Sequence, residues 1–180
     1  MTLQQYYANG LTAEAYAELL DDTQRELHAL YRRRVEIDPG AIERLGAAGP
    51  LHLLVITEPW CGDSLAIFPA IDALCNRAGI GLRVVRRDEV PELIDRYLTR
   101  GGRAIPIAIG LGGDFEERFR WGPRPAAAQA IFEAHRDAIA EGRIDKVDVH
   151  KRIRAFYAKD KGQAVVRELL AGFGGDSDER

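Results

Sequence analysis

The sequence predicts an α/β fold in which helices flank a central mixed four-stranded sheet. Three observations support this prediction. From Leu51 onward, the pattern of apolar and turn residues gives the order β-α-β-α-β-β-α. Its first half is typical of a right-handed parallel crossover, and its second half of a hairpin followed by a helix. With 180 residues, 46% of them hydrophobic, the chain can bury a core without a disulfide or a metal.

Two helical segments are predicted before the sheet. Apolar residues recur at helical spacing over residues 11–35, and Thr12 is a suitable N-cap. A short helix follows from Asp38-Pro39 to about Gly46, since proline is favoured at the first helical position. Residues 1–50 are therefore expected to form a helical extension packed on the core, because no flexible linker follows them.

The elements of the core follow from short apolar runs and the turn residues between them. The predicted strands cover residues 51–57, 82–86, 105–111 and 115–121, and the predicted helices cover residues 65–78, 91–99 and 125–141. Gly79 ends the first of these helices, and Gly112-Gly113-Asp114 turns the chain between the last two strands. The core is expected to span residues 51–141.

Residues 142–180 are expected to add a helical segment and a flexible tail to the same compact domain. Apolar residues within 148–170 recur at helical spacing and predict one or two further helices. We expect this segment to pack on the core; an interface helix is the alternative, and a homodimer is among the expected partners. The tail from Gly172 to Arg180 is rich in glycine, serine and acidic residues and is expected to fray.

Composition and charge exclude several classes of function. Lys and Arg number 25 against 28 Asp and Glu, a net charge of -3, so no nucleic-acid partner is expected. No apolar run approaches the roughly 20 residues of a membrane helix, so no membrane partner is expected. Two cysteines are too few for a disulfide scaffold, and the N-terminus lacks a signal-peptide pattern, which favours a cytoplasmic location.

The segment from Thr57 to Ser64 places a cysteine, Cys61, between a buried strand and a helix. Free N–H groups and the helix dipole at a helix N-terminus favour the thiolate, which is the nucleophilic form of cysteine. Trp60 is expected to shield one side of the sulfur, and Gly62 to leave the other side open. A buried structural cysteine is the alternative interpretation.

Two motifs carry a family resemblance. The segment Trp60-Cys61-Gly62-Asp63-Ser64 resembles the thioredoxin active-site motif W-C-G-P-C. Arg103-Ala104-Ile105-Pro106-Ile107 resembles the cis-proline segment that opens the third strand of a thioredoxin-like core, 45 residues after Cys61. The resemblance implies a thioredoxin-like fold over about residues 51–141, with Ile105 and Pro106 binding the substrate chain beside the sulfur.

A narrower resemblance involves segments outside these motifs. The stretches 58–63, 96–106 and 121–125, with an extension over residues 6–20, are similar to a bacterial branch of the thioredoxin family that has a helical N-terminal extension. That branch commonly carries Cys-Gly-Asp-Cys. The resemblance implies a bacterial protein concerned with cell redox homeostasis, and it names no substrate.

The sequence departs from thioredoxin at two positions. Ser64 replaces the resolving cysteine, and Val55 stands where the buried acid of thioredoxins would fall. Ser64 cannot release a mixed disulfide, although its hydroxyl can hydrogen-bond the Cys61 thiolate. Cys75 follows 14 residues later in the same predicted helix, at about 21 Å, whereas a disulfide requires Cα atoms within roughly 7 Å. Cys75 is therefore expected to be a core residue.

The predicted function is a monothiol thiol-disulfide oxidoreductase. Its catalytic residues are Cys61 and Ser64, and its substrate-binding residues are Trp60, Gly62, Asp63, Ile105 and Pro106. Cys61 attacks a protein or low-molecular-weight disulfide, and an external thiol resolves the adduct. The alternative is a redox-inactive binding module that holds a protein at the face around Trp60, Pro106 and Trp121. No cofactor and no metal are expected, since the four histidines are scattered and no C-x-x-C pair exists.

The charges around Cys61 leave two questions open: the direction of the net shift in the Cys61 pKa, and the role of two nearby arginines. Glu58 and Asp63 place negative charge near the sulfur and oppose the helix dipole there. Arg103 and Arg124 flank the segments expected near the same face. Either these arginines are solvated, or they bind the carboxylates of a small thiol such as glutathione.

Overall fold

The sheet has four strands in the order β2-β1-β3-β4. A computed structural model of the protein describes residues 1–46 and 49–174. The strands are β1 (His52–Thr57), β2 (Gly81–Arg86), β3 (Ile107–Leu111) and β4 (Glu117–Trp121). β1 pairs with β2 in parallel, whereas β3 runs antiparallel to both β1 and β4. The mixed sheet that the sequence predicted is therefore confirmed.

Ten α-helices in the described part of the chain flank this sheet. They are α1 (Leu3–Asn9), α2 (Ala13–Ala17), α3 (Asp22–Arg34), α4 (Pro39–Gly46), α5 (Gly62–Ala78), α6 (Pro91–Ile94), α7 (Ala126–Glu133), α8 (Arg136–Ala140), α9 (Lys146–Asp160) and α10 (Gln163–Gly174). A 3-10 turn over Arg87–Glu89 precedes α6. No helix of the described residues is both long enough and apolar enough to cross a membrane.

The sheet separates two apolar clusters, because successive side chains of a strand point to opposite faces. Leu53 and Val55 of β1 belong to the cluster that includes buried residues of α5, α9 and α10. Leu54 and Ile56 belong to the other cluster, which includes residues of α1 and α6. Both faces of β1 are buried, as its unbroken apolar run predicted.

The 17-residue helix α5 supports the sheet and begins at the predicted nucleophile. Cys61 is its N-cap, and Gly79 ends it in the left-handed conformation with φ of 67°, donating its N–H to the Cys75 carbonyl. Its buried residues include Ile67, Phe68 and Leu74. The orientation of α5 therefore fixes where its first turn, and with it Cys61, meets the edge of the sheet.

The single helix predicted over residues 11–35 is wrong, because the structure divides it at Asp21. Thr12 caps α2 as predicted, by accepting a hydrogen bond from the backbone N–H of Ala15. Asp21 and Gln24 then form a capping box, in which each side chain accepts from the other's backbone N–H. Reciprocal capping starts a new helix despite the continuous apolar pattern. The sequence did not predict α1 as a separate helix.

Two other predicted helices and the predicted tail differ from the structure in extent. The helix predicted over 91–99 stops at Ile94, because Thr99 and Gly102 pair through their backbones around a turn. The helix predicted over 125–141 divides into α7 and α8 near His135. Gly172 belongs to α10, and the rest of the tail that was expected to fray, 175–180, lies outside the described residues.

The C-terminal helices pack on the core. Val149, Ile153 and Tyr157 of α9 are buried, and Phe173 of α10 meets Phe119 of β4 edge to face, with 4.8 Å between the ring centroids. The turn between α9 and α10 lies against α5. A Cβ added at Gly162, which has φ of +81°, would lie 2.7 Å from the Cβ of Ala70.

The substitution Gly162→Ala should lower the free energy of unfolding by more than 2 kcal/mol. An alanine there takes on a left-handed backbone, which costs about 1–2 kcal/mol, and its Cβ also collides with Ala70. Gly142→Ala is the matched control, since Gly142 has φ of +70° and a Cβ there would meet nothing within 4 Å. Urea unfolding of both variants measures the difference. Equal losses would show that the turn between α9 and α10 does not pack tightly on α5.

Candidate functional site

The pairing of β1 with β3 brings the two predicted motifs together. Ile56 near the end of β1 lies opposite Ile107 at the start of β3. The segment that follows β1 therefore meets the segment that precedes β3. There the Cys61 thiol donates to the carbonyl oxygen of Ile105, with 3.5 Å between sulfur and oxygen. The peptide bond between Ile105 and Pro106 is cis, in keeping with the resemblance noted in the sequence.

Cys61 lies at the N-terminus of α5 and retains limited access to solvent. Its residue exposure is 9%. Its backbone N–H donates to the Glu58 carbonyl at 3.1 Å, and its own carbonyl accepts from the N–H of Leu65 at 3.1 Å. These two hydrogen bonds hold the cysteine between the turn and the first turn of the helix. A Cβ at the following residue, Gly62, would meet nothing within 4 Å, so the space beside the Gly62 Cα is open.

Trp60 is exposed, and the guanidinium of Arg87 lies over its indole ring. Its exposed fraction is 56%. The guanidinium carbon of Arg87 lies over the indole at 4.6 Å from the ring centroid. Arg87 also donates to the carbonyl oxygen of Arg103 at 3.3 Å, three residues before Pro106. The indole therefore lies on the same face as the segment that precedes the cis-proline.

Three polar residues with little or no solvent exposure, Thr57, Glu58 and Ser64, all lie within four positions of Cys61. The Ser64 hydroxyl accepts a hydrogen bond from Thr57 Oγ1 at 2.6 Å. Among the described residues, the hydrogen bond of Ser64 is with this threonine and not with the sulfur. Tyr16 of α2 joins the cluster: burial raises the pKa of Tyr16 to about 12, while a hydrogen bond with Thr57 opposes that rise. Ser64 thus anchors the first turn of α5 to the end of β1.

The buried carboxylate of Glu58 is neutralised by an arginine. Its Oε2 lies 3.3 Å from Nε of Arg86, and its Oε1 accepts from the backbone N–H of Asp88 at 3.0 Å. A buried carboxylate needs such a partner, because an unpaired charge in the interior is strongly unfavourable. The negative charge that the sequence placed beside Cys61 is therefore compensated here.

Asp63 is compensated in the same way by groups from two distant segments. One carboxylate oxygen lies 2.6 Å from Arg124, and the side chains of both residues are only 11% exposed. The other oxygen accepts a hydrogen bond from the Tyr157 hydroxyl of α9 at 3.0 Å. Burial, together with this carboxylate, raises the pKa of Tyr157 above its usual range. Arg124 is therefore not a solvated surface residue.

The other predicted charged and sulfur groups lie away from Cys61. Arg103 forms a bidentate ion pair with Asp95 at 2.7 Å for both contacts, and both side chains are about half exposed. Cys75 and Cys61 are both free thiols. Burial raises the pKa of the Cys75 thiol far above its usual range, as expected of a core cysteine.

Sequence reasoning did not assign a role at this site to Tyr16, Thr57 or Tyr157. It also missed why Gly122 is needed: with φ of +115°, its Cβ would collide with the carbonyl oxygen of Pro106. The only available signal was the segment Trp121-Gly122-Pro123, which entered through the resemblance. Among the described residues, no group of three or more His, Cys, Asp or Glu side chains is placed to hold a metal ion.

The fold defines a thioredoxin-like protein, with one thiol, Cys61, at the start of α5. A family model described as thioredoxin matches residues 10–138, well over half of the chain. The chain therefore belongs to the thioredoxin family. No curated protein matches it significantly.

Two solved structures share this fold across nearly the whole chain. The first is a protein of unknown function from Pseudomonas aeruginosa, with a TM-score of 0.74 and 21% identity, covering 98% of this chain and 99% of its own. The second is an HIV epitope-scaffold, with a TM-score of 0.73 and 20% identity, covering 97% of this chain and 99% of its own. At this identity, both matches establish the fold alone.

Replacing Arg124 with methionine should lower the free energy of unfolding by about 3 kcal/mol, because it leaves the buried Asp63 carboxylate without its cation. The matched control is Arg103→Met, which breaks the exposed ion pair with Asp95 and should cost at most about 1 kcal/mol. Chemical denaturation of both variants makes the comparison. Similar small losses would mean that Asp63 is effectively solvated.

Proposed function

We propose that this chain is a monothiol thiol-disulfide oxidoreductase whose nucleophile is Cys61. The observation that carries the proposal is the position of the sulfur. It lies at the N-terminus of the 17-residue helix α5 and 3.5 Å from the carbonyl oxygen of Ile105, beside the cis bond to Pro106. The helix N-terminus favours a thiolate, and in this proposal the backbone before Pro106 forms hydrogen bonds with a substrate chain.

The proposed reaction has two exchanges. In the first, the Cys61 thiolate attacks one sulfur of a disulfide; a new S–S bond forms, the old one breaks, and the leaving thiolate takes a proton from solvent. In the second, an external thiolate attacks the substrate sulfur of this mixed disulfide and releases the Cys61 thiolate. Overall, one half of the substrate disulfide leaves as a free thiol, and the other half leaves joined to the external thiol as a new disulfide.

The resolving thiol is external in this proposal because the chain offers none. Cys75 lies in the same helix as Cys61, is fully buried and stays protonated. Ser64, at the position where a second thiol would stand, is bonded to Thr57. Small thiols are abundant in a reducing cytoplasm, which we propose as the location of the protein.

The substrate in this proposal enters over Trp60 and Gly62 and pairs with the backbone at Ile105. The exposed indole supplies an apolar contact surface, and the space beside the Gly62 Cα is open. The carboxylate of Asp63 is occupied by Arg124 and Tyr157. Its proposed part is therefore to hold Arg124 beside the site rather than to contact the disulfide directly.

The alternative function is a redox-inactive module that binds a protein partner. The observation that favours it is the contrast between a thiol with 9% exposure and an indole with 56% exposure on the same face. A binding module would use Trp60 and would not need a reactive sulfur.

The substitution Cys61→Ser should abolish adduct formation with a mixed-disulfide substrate, while Cys75→Ser should leave it unchanged. Cys75 is the matched control because it is a thiol held protonated in the core. Site-resolved alkylation across a pH series, read by peptide mass mapping, gives a second readout. An unreactive Cys61 in the folded wild-type protein would favour the binding module, and equal activity in both variants would overturn Cys61 as the nucleophile.

The substitution Ser64→Cys should convert the site from one-thiol to two-thiol chemistry. Positions 61 and 64 are three residues apart at the start of a helix, where side chains are neighbours, within the reach of a disulfide. A preformed mixed disulfide on Cys61 should then decay without added thiol, whereas in the wild-type protein it should persist until thiol is supplied. Mass spectrometry of the adduct over time measures this. Persistence in both proteins would argue against access of the side chain at position 64 to the sulfur.

A further inference from the structure

A cavity of about 320 Å³ lies beside the active-site loop. Its walls come from the turn before the cis-proline, from the loop after β4, and from α7, α8 and α9. Four of its lining residues carry full positive charges: Arg100, Arg124, Arg136 and Lys146. The only carboxylate in the described lining is Glu133.

The cations of this cavity outnumber the anions that compensate them. Arg100 and Arg136 share Glu133, at 3.3 Å and 3.9 Å. Arg124 is paired with Asp63 behind the wall. No ion pair involves Lys146 among the described residues. Four cations against two carboxylates leave an excess of two positive charges, which favours an anionic ligand.

The residues of the walls also include polar side-chain atoms that lack a hydrogen-bond partner. Four side-chain polar atoms of the described residues are buried without a hydrogen-bond partner, and three of them belong to residues that line this cavity: Thr99, Arg124 and His150. In Arg124 the unpartnered atom is Nε, which can only donate. Burial lowers the pKa of His150, so its ring is neutral near pH 7 and can still donate through one nitrogen. These three atoms are themselves inaccessible to solvent and lie behind the cavity wall, so the excess of positive charge is what favours an anion here.

Two residues of the cavity wall are linked to the surroundings of Cys61. Ala104 in its wall directly precedes Ile105, whose carbonyl oxygen contacts the sulfur. Arg124 in its wall is paired with Asp63, two residues after Cys61.

We propose that the cavity binds the carboxylate of a small disulfide while Cys61 attacks its sulfur. This inference rests on the proposed function and narrows its substrate class to low-molecular-weight disulfides that carry a carboxylate. Lys146 binds the anion. Arg100, Arg124 and Arg136 contribute to the positive potential, since the Arg124 guanidinium is already bonded to Asp63 and Gln129. In this proposal the preference of Cys61 for anionic disulfides comes from the subsite. The sulfur itself makes no contact that distinguishes a charged disulfide from a neutral one.

The test compares three small disulfides that differ in charge: anionic 3,3′-dithiodipropionate, neutral 2-hydroxyethyl disulfide and cationic cystamine. The rate of adduct formation on Cys61 is divided by the rate with free 2-mercaptoethanol in the same buffer, which removes intrinsic differences in reactivity. We expect the anionic disulfide to exceed the cationic one on the order of tenfold, and added salt to reduce the ratio.

The variant Lys146→Met should reduce that ratio about threefold or more. The matched control is Lys159→Met, which removes the same charge from the same helix, α9, at an exposed position outside the cavity lining. Equal normalised rates for the three disulfides, or a ratio that Lys146→Met and Lys159→Met change equally, would overturn the proposed subsite.

A binding measurement separates this subsite from the redox function. In Cys61→Ser no adduct forms, and dithiodipropionate should still raise the Tm of the variant more than cystamine does, because a ligand that binds only the folded state stabilises it. A Tm shift without adduct formation on wild-type Cys61 would support the subsite and contradict the oxidoreductase. Adduct formation with no charge preference and no Tm shift would support the oxidoreductase and contradict the subsite.

Discussion

The antiparallel pairing of β1 with β3 is the constraint on which the site depends. It sets Ile56 opposite Ile107, so the chain leaving one strand meets the chain entering the next at a single edge of the sheet. Cys61 and Pro106 are 45 residues apart in sequence and adjacent in space for this reason alone. A register shift of one residue would turn every side chain of β3 to the opposite face and separate the sulfur from the carbonyl oxygen of Ile105.

The electrostatics of the site are set by pairs rather than by single charges. Glu58 and Asp63 flank Cys61, and each is paired with an arginine from another part of the chain, Arg86 or Arg124. The two acids therefore add little net charge at the sulfur, and the dipole of α5 acts there without strong opposition. Because burial makes an unpaired carboxylate so unfavourable, each pair also fixes the position of the loop that carries it.

The sequence was sufficient for features that depend on local chemistry and on the family pattern. The sheet, Cys61 at a helix start and the proline segment could all be predicted, because short motifs and turn residues specify them. The division of the N-terminal helix at Asp21 could not, since helical periodicity continues through a residue whose capping interactions begin a new helix. Tyr157 carried no signal either, because the position of α9 against α5 is decided by long-range packing. The hydrogen-bond partner of Ser64 could not be predicted either, because both the Thr57 hydroxyl and the Cys61 sulfur are close to it in the sequence.

The hydrogen bond from Tyr157 to Asp63 has a consequence for the protein during its own synthesis. Tyr157 leaves the ribosome about 100 residues after Cys61, which at ordinary elongation rates is a delay of roughly 5 to 20 seconds. Until α9 docks, the nascent chain presents a cysteine whose surroundings are incomplete. For that interval Cys61 is open to the same small oxidants as any unfolded thiol, and the hydrogen bond between Tyr157 and Asp63 forms only when α9 docks.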